Sequence, residues 1–168
     1  MLDAAAIRRL FDALNEELKA KDVVGEVGIC GGAVMCLVFN ARRATKDVDA
    51  IFEPTQEIRA AATRVAERLA VSPDWLNDAA KVYFAGQPPR HDVLSLSNLR
   101  VWSPTAEYML AMKCVSARFD SHDRDDVVFL LRHLALRQAE QVFAIISRYY
   151  PHQQVPAKTQ FLVEELCG

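Results

Sequence analysis

Residues 23–53 read VVGEVGICGGAVMCLVFNARRATKDVDAIFE. From Val23 to Cys30 the run is short and β-prone, Gly31-Gly32 interrupts it, and Ala33, Val34, Leu37 and Val38 then return at helical spacing. A basic connection, Ala41 to Thr45, leads into Lys46 to Phe52, which alternates as a strand does and is ended by Pro54. Strand, glycine turn, helix and strand in that order predict an α/β fold. The strand period of two aims Asp47 and Asp49 at one face and turns Val48 and Ala50 toward a core.

On either side of this stretch the pattern is mostly helical. Ile7, Leu10, Phe11, Leu14 and Leu18 form the apolar stripe of a helix running from Asp3 to Lys21. Thr55 to Ala70 is a second helix, with Thr55 as N-cap and Ile58, Ala62, Val65 and Leu69 facing inward. Between Val71 and Arg90, turn signals surround a β-like run at Val82-Tyr83-Phe84. His91 to Leu96 and Leu99 to Trp102 predict two strands joined through Ser97-Asn98. After Pro104 the spacing predicts helices over Thr105 to Arg118, Asp123 to Leu134, Leu136 to Tyr150 and Ala157 to Leu166. The expectation is one domain over 1–168: a small mixed sheet flanked by helices to residue 102, with a helical extension over 103–168 packed on it.

Composition sets outer limits. The 168 residues are 51% hydrophobic and 25% charged, which suits one chain with its own core and no disulfide staples. Twenty basic against 22 acidic side chains leave a formal charge of −2, so any contact with nucleic acid requires a local patch. Cys30, Cys36, Cys114 and Cys167 show no metal-binding spacing and read as thiols of a reducing compartment. The opening residues lack the basic-then-apolar order of a secretory signal, and no apolar run reaches the ~20 residues of a membrane span. A cytoplasmic protein with no membrane partner is expected.

Two features carry chemistry. Paired carboxylates roughly 6 to 7 Å apart along a strand repel unless a cation or solvent neutralises them, and hard oxygen ligands favour magnesium. A glycine pair between strand and helix leaves backbone N–H groups open to phosphate oxygens. The four histidines, His91, His122, His133 and His152, form no ligand cluster. Trp75, Trp102, Tyr149 and Tyr150 read as core or interface aromatics.

Gly31-Gly32, the helix after it, Arg42-Arg43-Ala44-Thr45 and Asp47-Val48-Asp49 together resemble the signature of the nucleotidyltransferase superfamily. Trp75-Leu76-Asn77-Asp78, Ser103-Pro104, the run from Tyr108 to Lys113, Arg118 and Asp123 to Asp126 extend the likeness over most of the chain. They resemble a bacterial AbiEii-like family, which includes the toxins of type IV toxin–antitoxin systems and many small uncharacterised relatives. This chain resembles the small relatives more than the toxins.

That resemblance implies a minimal nucleotidyltransferase fold. It also implies magnesium-dependent transfer of a nucleoside monophosphate from a nucleoside triphosphate to a hydroxyl of RNA, transfer RNA included, or of protein. Asp47 and Asp49 would be catalytic metal ligands, and Gly31, Gly32, Thr45, Lys46 and Asp126 would bind the nucleotide. Lys113 would be catalytic as well, reaching the triphosphate, with Asp123 or Asp126 orienting it or lying beside the site, and Arg42 and Arg43 would stand beside the mouth of the site for an acceptor. The family's third carboxylate, on a later strand, has Asp92 as its nearest candidate here. Asp78 is the alternative, beside the reading that Asn77 and Asp78 merely close a turn. A toxin-like role would bring a cognate antitoxin. The absence of a clear third acid supports the other reading, a catalytically degenerate nucleotide-binding or protein-interaction module.

Overall fold

The computed structural model describes residues 1–116 and 121–168, so Arg118 lies outside the described residues. The chain is α/β and divides into two compact units: Met1–Lys81 with Arg90–Pro104, and Val82–Pro89 with Thr105–Gly168. Among the described residues no helix is long and apolar enough to cross a membrane.

The first unit opens with α1 (Ala4–Ala20), capped by the Asp3 carboxylate, which accepts from the Ala6 N–H at 2.8 Å. Its predicted stripe is fully buried at Ile7, Leu10, Phe11, Leu14 and Leu18, each such side chain contributing about 1.5–3 kcal/mol of apolar burial. Then follow β1 (Gly25–Cys30), α2 (Gly31–Leu37), β2 (Val48–Glu53), α3 (Thr55–Leu69), β3 (Leu76–Asn77), β4 (Arg90–Ser95) and β5 (Leu99–Pro104). The strands form one mixed sheet in the order β3-β2-β1-β5-β4. β1 runs antiparallel to β2 and parallel to β5, β2 is parallel to β3, and β4 is antiparallel to β5.

Alternation along the strands sorts the two faces. Val27, Ile29, Val48, Ala50, Phe52 and Val101 are buried on the face where α1 meets β5 and α3 meets β2. Trp75 seals this core: its indole N–H donates to the Ala62 carbonyl at 3.0 Å and its ring meets Phe11 edge-on at 6.1 Å. On the other face the Trp102 indole fills the space that a Cβ on Gly28 would need. The Arg90 guanidinium lies 4.0 Å from that ring's centre and pairs with Glu26 at 2.6 Å.

Several boundaries depart from the sequence expectation, each for a local reason. β2 starts at Val48, not Lys46, because Thr45 exchanges two backbone hydrogen bonds with Leu2, at 2.7 and 2.8 Å, and the chain must bend before it can pair with β1. Thr55 is the first residue of α3, not its cap: Pro54 takes the N-cap position and the Thr55 hydroxyl donates to the Phe52 carbonyl. Leu69, expected inside, is 43% exposed at the end of that helix. The run Val82-Tyr83-Phe84 forms no strand; a 3₁₀ turn covers Ala79–Tyr83, and the segment beyond it belongs with the helices.

The second unit contains α4 (Ala106–Ser116), α5 (Ser121–His133), α6 (Ala139–Tyr149) and α7 (Ala157–Cys167). Ala135, in the left-handed region, turns the chain after α5, and a capping box between Gln138 and Gln141 starts α6. Tyr108 holds residues 82–89 to these helices, its hydroxyl accepting from the Ala85 N–H at 2.7 Å. The Tyr150 hydroxyl donates to the Tyr83 carbonyl.

Candidate functional site

The passage from β1 into α2 is a sharp corner. Gly31 sits at φ +60, a left-handed conformation that costs any residue with a Cβ roughly 1–2 kcal/mol. A Cβ there would stand 3.5 Å from the Asp49 Oδ2. Gly32 has no room for one at all, since the Thr45 hydroxyl and the Arg42 Nη1 occupy its place. Two successive glycines are thus flanked by a carboxylate, a guanidinium and a hydroxyl.

Sheet register explains how Asp49 reaches this corner. It lies opposite Cys30, the last residue of β1, and the Cys30 thiol donates to the Asp49 carbonyl at 3.5 Å. Asp47, in the bend before β2, and Asp49 are both half-buried, while Val48 and Ala50 between and beyond them are buried. Asp49 thus lies on the strand face opposite the buried Val48 and Ala50, while Asp47 precedes the strand in the bend. Their segment is anchored at both ends. Ala41 and Arg42 both donate backbone N–H groups to the Met35 carbonyl, at 2.8 and 3.3 Å, and Thr45 is paired with Leu2. Lys46 and Arg43 are exposed.

The candidates for a third acid do not join this pair. Asp92 is exposed on β4, at the edge of the sheet and three strands from β2. Asp78 is engaged by Arg59 at 2.9 Å. The sheet position beside Asp49 is Asn77 on β3, a neighbour that sequence reasoning passed over. Its side-chain oxygen accepts from the Ala79 N–H at 3.2 Å, which closes the turn expected there. Only the β2–β3 register reveals its proximity to Asp49.

Within the helical unit, Lys113 on α4 is held by two carboxylates of α5: its Nζ lies 2.8 Å from Asp123 Oδ1 and 2.8 Å from Asp126 Oδ2. The i, i+3 spacing of Asp123 and Asp126 puts both on one face of α5. Burial is the largest influence on this lysine and lowers its pKa. The Asp126 charge and hydrogen bonds to both carboxylates oppose burial and together prevail, so the pKa stands above the ordinary value. Lys113 is accordingly a fixed cation and not a proton acceptor near neutral pH. On the adjoining residue, burial pushes the Cys114 thiol up to about 12, so it stays protonated and inert as a nucleophile.

Among the described residues no group of three or more His, Cys, Asp or Glu side chains gathers as a ready-made metal cage. Magnesium does not demand one. It is commonly held by one or two carboxylates, with substrate phosphates and water completing the shell. Half-buried Asp49 beside the glycine corner, with half-buried Asp47 two residues before it, is compatible with that requirement.

Comparison with protein-family models, curated proteins and solved structures finds no match to this chain.

Proposed function

We propose that the chain is a nucleotidyltransferase that transfers a nucleoside monophosphate from a triphosphate to a hydroxyl acceptor on RNA or protein. The observation that carries this reading is the Asp49 carboxylate standing beside the left-handed Gly31, with Asp47 half-buried two residues before it. The likeness of these same Gly-Gly and Asp-x-Asp segments to the nucleotidyltransferase signature supports it as well.

In this reading Asp47 and Asp49 hold magnesium, which when bound offsets triphosphate charge and lowers the pKa of the attacking hydroxyl. Gly31, lacking a side chain, lets phosphate oxygens approach the backbone, while Gly32 makes room for Thr45 and Arg42 beside it. The acceptor oxygen bonds to the α-phosphorus, the bond from that phosphorus to the bridging oxygen breaks, and pyrophosphate leaves with the electron pair. The hydroxyl proton passes to water. Exposed Arg43 and Lys46 supply positive charge for an RNA backbone near the acids. An RNA acceptor would make a toxin-like role and an inhibitory antitoxin partner natural companions of this chemistry.

Incubation with each α-labelled nucleoside triphosphate, magnesium and total RNA or protein tests the reading. Asp49→Asn and Asp47→Ala are expected to cut labelling by about a hundredfold or more, the scale of losing a transition-state charge partner. Labelling equal to the wild type would reject it. Growth arrest on expression, relieved by Asp49→Asn, is the corresponding check on a toxin role; harmless expression of an active enzyme counts against one.

Asn77 beside Asp49 favours a second reading, a binding module that has lost turnover. Calorimetry with magnesium and each triphosphate separates the two, since binding without transfer supports the module.

A further inference from the structure

The geometry points to a releasable strap: residues 82–89 lift from the helices while the strands and the helices themselves stay folded. The segment is set with the helical unit although Lys81 and Arg90, which flank it, belong to the sheet unit. Its fastenings are tyrosine hydroxyls. The Tyr108 hydroxyl takes both polar groups of one residue, accepting from the Ala85 N–H at 2.7 Å and donating to the Ala85 carbonyl at 3.2 Å. The Tyr150 hydroxyl donates to the Tyr83 carbonyl, and the Pro89 carbonyl accepts from the Thr105 N–H at 3.1 Å. Beneath them lies a cluster of rings: Tyr108 is 6.3 Å from Phe84 of the strap, 5.1 Å from Tyr149 and 5.9 Å from Tyr150.

This attachment differs in kind from what holds the strands and helices. Beyond the 3₁₀ turn that ends at Tyr83, the segment lies in no helix or strand. Val82 is 77% exposed, and Gly86, left-handed at φ +59, has open space where a Cβ would stand. A hydrogen bond exchanged for one to water shifts an equilibrium by about two- to tenfold, so breaking a few of them is far easier than opening a buried core. After release the backbone groups and both hydroxyls turn to water, and none is orphaned. The strands keep their ladder and the helices their own bonds, which is the condition for opening short of global unfolding. The strap follows directly on the turn that Asn77 closes beside Asp49, so its release adds a movable stretch next to that position.

Amide exchange at Ala85 and native-state cleavage by chymotrypsin, both on the full chain, test the strap. The Ala85 N–H is expected to exchange at least about tenfold faster than the core amides of α4 and β5. Its exchange should be nearly independent of low urea, whose effect scales with the surface an opening exposes. Chymotrypsin, which cuts after aromatic residues, should cut first at Tyr83 or Phe84. The Tyr150→Phe change does not touch Ala85, so a rise of about two- to tenfold in Ala85 exchange shows the strap lifting as one piece. Tyr108→Phe keeps the ring, removes both bonds to Ala85 and should speed the cut by about fivefold to a hundredfold; if it fails to melt cooperatively, Tyr150→Phe carries the test. Tyr149→Phe should match the wild type within about twofold, since among the described residues its hydroxyl makes no hydrogen bond to the strap. Ala85 exchange with the rate and urea dependence of α4 and β5 would overturn the proposal, because the segment would then open only with the whole fold. So would unchanged Ala85 exchange in Tyr150→Phe, or an acceleration by Tyr149→Phe equal to that by Tyr150→Phe.

Discussion

The Oδ2 of Asp49 lies 3.5 Å from the point where a Cβ on Gly31 would stand, so the carboxylate and the left-handed corner are in van der Waals reach of each other. Gly31→Ala would therefore meet ordinary contact but pay the left-handed backbone cost of roughly 1–2 kcal/mol. A melting temperature lower by about 2–8 °C is expected for a chain of this size. Gly32→Ala adds a clash with Thr45 and Arg42 and should depress triphosphate binding more than Gly31→Ala does. Equal binding by the two variants would argue that Arg42 and Thr45 play no part.

Lys113→Met would remove the lysine from Asp126, whose side chain is only 5% exposed. Removing one partner of a buried pair typically costs about 3–5 kcal/mol. Denaturant unfolding of Lys113→Met, Asp126→Asn and the double variant checks this. The double variant is expected to be less destabilised than the sum of the singles, because the buried Asp126 charge is removed together with its lysine, while the more exposed Asp123 remains.

Stability should fall on the alkaline side. Lys113 and Cys114 both have folded pKa values above their ordinary 10.5 and 9.0. Above pH 9 the unfolded chain releases the Cys114 proton that the folded chain retains up to about 12, so unfolding gains as pH rises. Lys113 adds to the same trend above 10.5, its contribution being complete below that pH and lost through its folded pKa. Urea midpoints measured from pH 7 to 11 should decline from pH 9 upward, and Cys114→Ala should make the limb between pH 9 and 10.5 shallower, with Cys167, whose pKa is also raised by burial, retaining part of it. A flat profile in the parent would contradict both assignments.

Ala70 caps α3 at φ 54 and ψ 44 and is exposed. Glycine has no penalty in that conformation. Ala70→Gly is expected to stabilise the protein by about 1 kcal/mol, seen as a melting temperature about 2–4 °C higher. No loss of triphosphate binding should accompany it.

The strand, corner, helix and strand between residues 25 and 53 were legible because each signal is local. Alternation, helical spacing and a glycine pair are read within a few residues, and the outward position of Asp49 between the buried Val48 and Ala50 follows from the strand period. Thr45 was different. Its backbone bonds to Leu2 join positions far apart in sequence, and that pairing delayed the start of β2. The run at residues 82–84 misled for a related reason: β-prone residues form a strand only where a neighbouring edge accepts them, and here Tyr150 takes the Tyr83 carbonyl.

Local chemistry in the chain therefore determined the α/β class, the glycine corner and the paired acids. Tertiary structure decided which side chains surround them: Arg42 in place of its neighbour Arg43, Asn77 beside Asp49 in place of Asp92, and Lys113 between two carboxylates. The physical reason is register. Which residues become neighbours across a sheet or between helices depends on how separate segments slide and dock, and a shift of one position reverses every side chain. No short window of sequence contains that information.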